Sequence, residues 1–148
     1  MKPIVVVIDT NVWVSAFLNP SGFPAQLVAA GKAGLFTVVS SLPLLDELFE
    51  VLSRPRIMKI RQTAVADAEE YVKAVAEVAL VVSVSGDLRI CRDRDDDILI
   101  ETALAGNARY LVSRDDDVAR DLELTCYLEA QNIQALTVSK FLAVLAEA

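Results

Sequence analysis

The sequence predicts an α/β fold with a central, mostly parallel sheet covered by helices on both faces. Three observations carry that expectation. Short apolar runs alternate along the chain with stretches of helical spacing, the pattern of strand–helix–strand crossovers. The first run, Ile4-Val5-Val6-Val7-Ile8, is continuous, as in a strand buried on both faces. It stops at Asp9-Thr10-Asn11, and another run, Tyr110-Leu111-Val112, is soon followed by Asp115-Asp116-Asp117. Open α/β sheets bind ligands beyond the carboxyl ends of their strands, so these acids fall where chemistry is expected.

The elements follow in order. Strand one is expected over residues 4–9 and a helix over residues 11–17. Asn19-Pro20-Ser21-Gly22 is a turn, after which Pro24 opens a second helix running to residue 32. Residues 35–39 read as a second strand, and Ser40-Ser41 with Pro43 start a helix over 44–53 that ends before Pro55. The basic patch Arg54, Arg56, Lys59 and Arg61 is expected in a solvated loop. A long helix over 64–78 leads to a third strand over 80–84. An acidic loop at 93–97 opens a helix over 98–105, and strand four covers 108–113. A short strand near 133–136 and a last helix over 138–146 close the chain. No repeat or linker divides it, so a single domain over residues 1–148 is expected.

Composition narrows the function classes. At 54% hydrophobic residues a chain of this length builds a core without disulfide staples. Cys91 and Cys126 have neither a CxxC partner nor zinc-ligand spacing, and are expected as buried thiols in a reducing cytoplasm. No secretory leader and no run of the ~20 apolar residues that a membrane span needs are visible, so a cytoplasmic location is expected. The chain has no histidine. That excludes Ser-His-Asp hydrolysis, Cys-His proteases and HExxH zinc sites, leaving carboxylates, hydroxyls and basic residues to do any catalysis. A net charge of −7 argues against a broad basic surface for nucleic acid, though not against a local basic rim.

Each acid has a plain structural alternative. Asp9, Thr10 or Asn11 can cap a helix, and Asp95–Asp97 and Asp115–Asp117 can be helix-start charges. Three acidic clusters at one sheet edge strain that account. Two carboxylates ~4–5 Å apart repel by roughly 3–4 kcal/mol at an effective dielectric near 20, and such a pair needs a proton or a counter-ion. In the helix over 44–53, Leu44, Leu45, Leu48, Phe49, Val51 and Leu52 form the apolar face. Glu50 points away from it, Asp46 nearly so, and Glu47 lies about 40° from Val51 at the margin of the stripe. Asp97 and Glu101 share a face at i,i+4, a mild like-charge penalty that a cation would remove. Oxygen ligands without His or Cys select Mg²⁺ or Mn²⁺, whose chemistry suits phosphodiester cleavage.

Four segments together resemble a PIN domain, and in particular the bacterial VapC-type toxin components. They are Ile8-Asp9-Thr10-Asn11-Val12, Leu44-Leu45-Asp46-Glu47-Leu48, Arg92-Asp93-Arg94-Asp95-Asp96-Asp97 and Leu111-Val112-Ser113-Arg114-Asp115-Asp116-Asp117. The resemblance covers essentially the whole chain. It implies a PIN-like α/β/α sandwich and a Mg²⁺- or Mn²⁺-dependent ribonuclease acting on single-stranded RNA. By position, Asp9, Glu47 and Asp97 match the three acids most regular in that site. Asp115 is preferred as the fourth acid and Asp117 is second. Thr10, Asn11 and Ser113 match polar positions that orient ligands or water. The resemblance further implies an antitoxin protein as partner, and a homodimer is common in the family.

Two residues depart from the family pattern: Arg94, where relatives often have Pro, and Arg114, where they often have Gly. Either arginine suits a grip on an RNA backbone, while Arg114 equally suits a pairing with a neighbouring acid. Two competing readings remain. One is a non-catalytic PIN-like binding module. The other is a phosphoaspartyl or receiver-like domain, which would need an Asp where Asn11 stands and a sheet-end lysine where only Lys140 of the last helix is on offer.

Overall fold

A computed structural model describes residues 3–90, 94–114 and 122–147. Its centre is a five-stranded sheet of order β3-β2-β1-β4-β5, with every pairing parallel. The strands are β1 (Val5–Ile8), β2 (Thr37–Ser41), β3 (Leu80–Val82), β4 (Tyr110–Ser113) and β5 (Gln134–Thr137). Between and after them run α1 (Thr10–Leu18), α2 (Phe23–Lys32), α3 (Leu42–Leu52), α4 (Pro55–Arg61), α5 (Val65–Val78), α6 (Arg94–Ala105), α7 (Leu122–Ala130) and α8 (Val138–Glu147).

The continuous apolar run is buried on both sides, as its composition demands. Val6 and Ile8 enter one core with Trp13 of α1, Leu27 of α2, Leu48 of α3, Val75 of α5 and Phe141 of α8. Val7 faces the other, with Leu99, Ile100 and Ala103 of α6 and Leu128 of α7. Alternation along a strand thus supplies two faces and two helical layers. Val6, Val7 and Ile8 are each no more than 2% exposed, and each such burial is worth roughly 1.5–3 kcal/mol. Whatever follows Ile8 is therefore held on a stiff mount.

Strand order creates the crevice. From β1 the chain steps outward to β2 and β3, then returns to place β4 on the opposite side of β1. The carboxyl ends of β1 and β4 are this reversal point, where parallel sheets open to ligands. Their register pairs Val6 with Tyr110, Val7 with Leu111 and Ile8 with Val112, so Asp9 comes level with Ser113.

Several boundaries differ from the sequence expectation. The second strand extends through the buried Ser40 and Ser41, and Ser41 is at the same time the N-cap residue of α3, as its helix-start reading expects. The basic patch after Ser53 is helical, because Pro55 pre-sets the first turn of α4. Helix α6 begins at Arg94, so Asp97 lies within its first turn rather than ahead of it. Helix α7 had no counterpart in the sequence reading. Cys126, expected to be buried, is exposed on α7; Cys91 lies outside the described residues.

Candidate active site

Asp9 occupies the N-cap position of α1 with extended φ −64° and ψ 149°, yet its side chain makes no capping hydrogen bond. The carboxylate turns to the sheet instead. Ser113 donates its Oγ proton to Asp9 Oδ2 at 3.0 Å, and the Asp9 amide donates to the Val112 carbonyl at 2.9 Å. Asn11 Nδ2 reaches Ser113 Oγ at 3.4 Å, while Asn11 Oδ1 accepts from the Arg114 amide at 3.2 Å. Asp9, Asn11, Ser113 and Arg114 therefore form one network across the β1–β4 crevice. Arg114 also donates from its guanidinium to Ser15 Oγ at 2.7 Å, laying the side chain along α1.

Contrast Asp67, which does cap a helix: its Oδ2 accepts from the Ala64 amide at 2.8 Å at the start of α5. The same residue type thus serves two ends. Asp67 satisfies an orphan donor of its own helix, whereas Asp9 is held by a strand 104 residues away.

The second acid is Asp97, only 3% exposed. Burying a carboxylate is costly unless donors surround it. One donor is the Ile90 amide, 3.1 Å from Asp97 Oδ1. One turn further along α6, Glu101 accepts from the amides of Gly86 at 2.9 Å and Leu88 at 3.2 Å, and from Ser85 Oγ at 3.3 Å. The Gly86 amide, helped by the Leu88 and Ser85 donors, holds the Glu101 carboxyl below its ordinary range against the opposing effect of desolvation. Main-chain donors from residues 85–90 therefore relieve the like-charge spacing of Asp97 and Glu101.

Glu47 is half-buried on α3, whereas Asp46 and Glu50 are exposed, as the margin position of Glu47 predicts. Glu50 is occupied on the surface by Arg54, at 2.8 Å and 3.0 Å. The mount of α3 is tied to that of α6 by a buried hydroxyl pair: Ser41 Oγ and Thr102 Oγ1 are 2.9 Å apart, and Thr102 Oγ1 donates a hydrogen bond to the Ile98 carbonyl at 2.7 Å. Ser41, at the N-cap of α3, makes no capping bond of its own.

Comparison with known proteins bears on the family and the fold. The family profile described as PIN domain matches residues 5–117. The chain belongs to the PIN domain family. Members of that family are generally nucleases. This PIN domain is 29% identical over 134 residues to the uncharacterized protein MJ1680 of Methanocaldococcus jannaschii, covering 88% of this chain and 83% of that protein. Its fold matches a chain in the crystal structure of VapBC2 from Rickettsia felis bound to a DNA fragment from their promoter. That match has a TM-score of 0.58 and 17% identity, and spans 90% of this chain and 98% of the other.

Among the acids and polar residues expected in the PIN site, the structure brings Asp9, Asn11, Ser113 and Arg114 into direct contact, and buries Thr10 at 6% exposure beside them. Asp97 stands on α6, which packs against β1, β4 and the start of α3. Asp115 and Asp117 lie outside the described residues, as does the side chain of Arg94. Among the described residues, no group of three or more His, Cys, Asp or Glu side chains is assembled closely enough to hold a metal ion by itself. No helix among them is long and apolar enough to cross a membrane. Sequence reasoning missed Ser15, Thr102 and the use of Glu101. Only the i,i+4 spacing of Glu101 from Asp97 hinted at the last.

Proposed function

We propose that this PIN domain is a Mg²⁺- or Mn²⁺-dependent endoribonuclease that cleaves single-stranded RNA. We further propose that it serves in the cytoplasm as the toxin of a toxin–antitoxin pair, as a single domain. The observation that carries the reading is Asp9. It is a carboxylate at the switch point of a parallel sheet, diverted from the capping role its position offers and oriented by Ser113. A buried Asp97 on the adjoining helix supports it.

The donor chemistry fits a hard cation, being all oxygen with no His in the chain. Asp9, Glu47 and Asp97 do not stand close enough together to hold it by themselves; they would hold it together with Asp115 as the fourth acid, or Asp117 as the alternative. When bound, the ion supplies Lewis-acid stabilisation of the charge that builds on the phosphate oxygens. The chain's own residues prepare that event. Ser113 fixes one Asp9 oxygen, Asn11 fixes Ser113, and Thr10 is buried next to Asp9 in the chain. Arg114, exposed at the rim, and Arg94 give an acidic protein local positive charge for the RNA backbone. The likeness to a VapBC2 chain supports an antitoxin protein as partner.

The test is cleavage of single-stranded RNA by purified protein in Mn²⁺, in Mg²⁺ and in chelator, with Asp97→Asn alongside. Activity with either metal that chelator and the substitution both remove supports the proposal. Equal cleavage in chelator contradicts it. Intact RNA throughout, from folded protein, favours a non-catalytic binding module.

A further inference from the structure

Residues 85–90 lie along α6 in the direction opposite to the helix. Their alternate amides are spent on it: Gly86 and Leu88 on Glu101, then Ile90 on Asp97. The spacing explains the fit. Two residues of extended chain advance roughly 6.6 Å, and four residues of helix advance about 6 Å. Carboxylates at i and i+4 therefore meet amides two residues apart. Gly86 adopts φ 79°, a left-handed turn that glycine takes without strain, where the segment meets the helix. Arg89 stiffens the segment by donating to the carbonyls of Gly86 at 2.6 Å and Leu88 at 2.9 Å.

We infer that Glu101 is a positioning residue, one that fastens residues 85–90 along α6 and so keeps the Ile90 amide on the carboxylate of Asp97. The inference rests on the reading of Asp97 as a ligand of the divalent ion. From residues 85–90, Glu101 takes the Gly86 and Leu88 amides and the Ser85 hydroxyl, and Asp97 takes the Ile90 amide, so Glu101 fastens this segment at three points. Asp97 receives an amide that Glu101 has already brought to its place. Groups that orient a metal-binding carboxylate change affinity without touching the ion.

The experiment compares full-length wild type with Glu101→Ala, Glu101→Gln and, as a control, Val75→Ala. Gln keeps one acceptor oxygen but turns an NH₂ toward a donor, so it loosens the segment while preserving shape. Val75 is 1% exposed on α5, away from α6, and its truncation reports simple destabilisation. Amide exchange at Gly86, Leu88 and Ile90 is read by NMR without metal, and Mn²⁺ binding is read by calorimetry. Both Glu101 variants are expected to speed Ile90 exchange about tenfold or more. They are expected to weaken Mn²⁺ binding by about tenfold, the low end for loss of an orienting partner. Val75→Ala is expected to lower Tm and move neither readout. Wild-type Ile90 protection in the Glu101 variants overturns the inference, as does faster exchange with unaltered Mn²⁺ affinity. Wild-type protein that takes up no Mn²⁺ overturns the ligand reading of Asp97 and this inference together.

Discussion

The two acids at the heart of the candidate site are mounted in opposite ways. Asp9 follows directly from β1, whose Val6, Val7 and Ile8 are locked into both cores, and its side chain is held by Ser113 of the adjacent strand. Its position is a consequence of sheet register. Asp97 sits on a helix that packs over the sheet, and one donor to its carboxylate comes from a segment with exposed residues, Ile90 among them at 44%. The lesson is that one acid is placed by the fold itself, whereas the other depends on how a segment outside the core is tied down.

Substitutions sharpen the contrast. The largest effect is expected for Asp9→Asn, which keeps an acceptor for Ser113 but removes the charge. Cleavage should fall on the order of a thousandfold, the upper range for deleting one preorganised electrostatic group, with Tm close to wild type. A large fall in Tm would mean that Asp9 serves the fold. Next comes Ser113→Ala, which frees Asp9 Oδ2 from its donor. Mn²⁺ affinity, measured by calorimetry, should weaken roughly 10–100-fold, and an unchanged value would show that the register alone suffices.

Gly106→Ala tests how α6 is anchored at its far end. An added Cβ would stand 2.3 Å from Val39 Cγ1, so the helix end must retreat from β2. A destabilisation of about 1–3 kcal/mol is expected in chemical denaturation. No change would mean that α6 is loosely seated.

The smallest effect concerns acid. Because the Glu101 carboxyl titrates below its unfolded value near 4.5, its contribution is complete above that pH. It is lost as pH falls through the lower folded value. Protection of the Gly86 and Leu88 amides should decline in that window before the β1 amides respond. Simultaneous loss would show that residues 85–90 are no separate unit.

Much of this was legible in the chain because it follows from local pattern. The branched run before Asp9 specified a doubly buried strand, and the wheel of α3 placed Glu47 at the stripe's margin while sending Glu50 outward. Failures trace to partners distant in sequence. Ser41 reads as a cap and does stand at the N-cap of α3, yet its hydroxyl makes no capping bond. It also ends β2, and Thr102, 61 residues later, is its hydrogen-bond partner. Asp97 and Glu101 read as a repelling pair awaiting a cation, since backbone amides carry no sequence signature. Helix α7 lacks a clear amphipathic stripe, and α4 is a short basic segment with no buried residue to announce it.

The central claim is that Asp9 and Asp97 hold one divalent cation between the sheet and α6. A crystal soaked in manganese, with data collected at the manganese edge, tests it most directly. The account predicts an anomalous peak beyond the ends of β1 and β4 that touches both carboxylates and vanishes in Asp9→Asn. A crevice with no peak, or manganese bound at acids remote from Asp9, would contradict it.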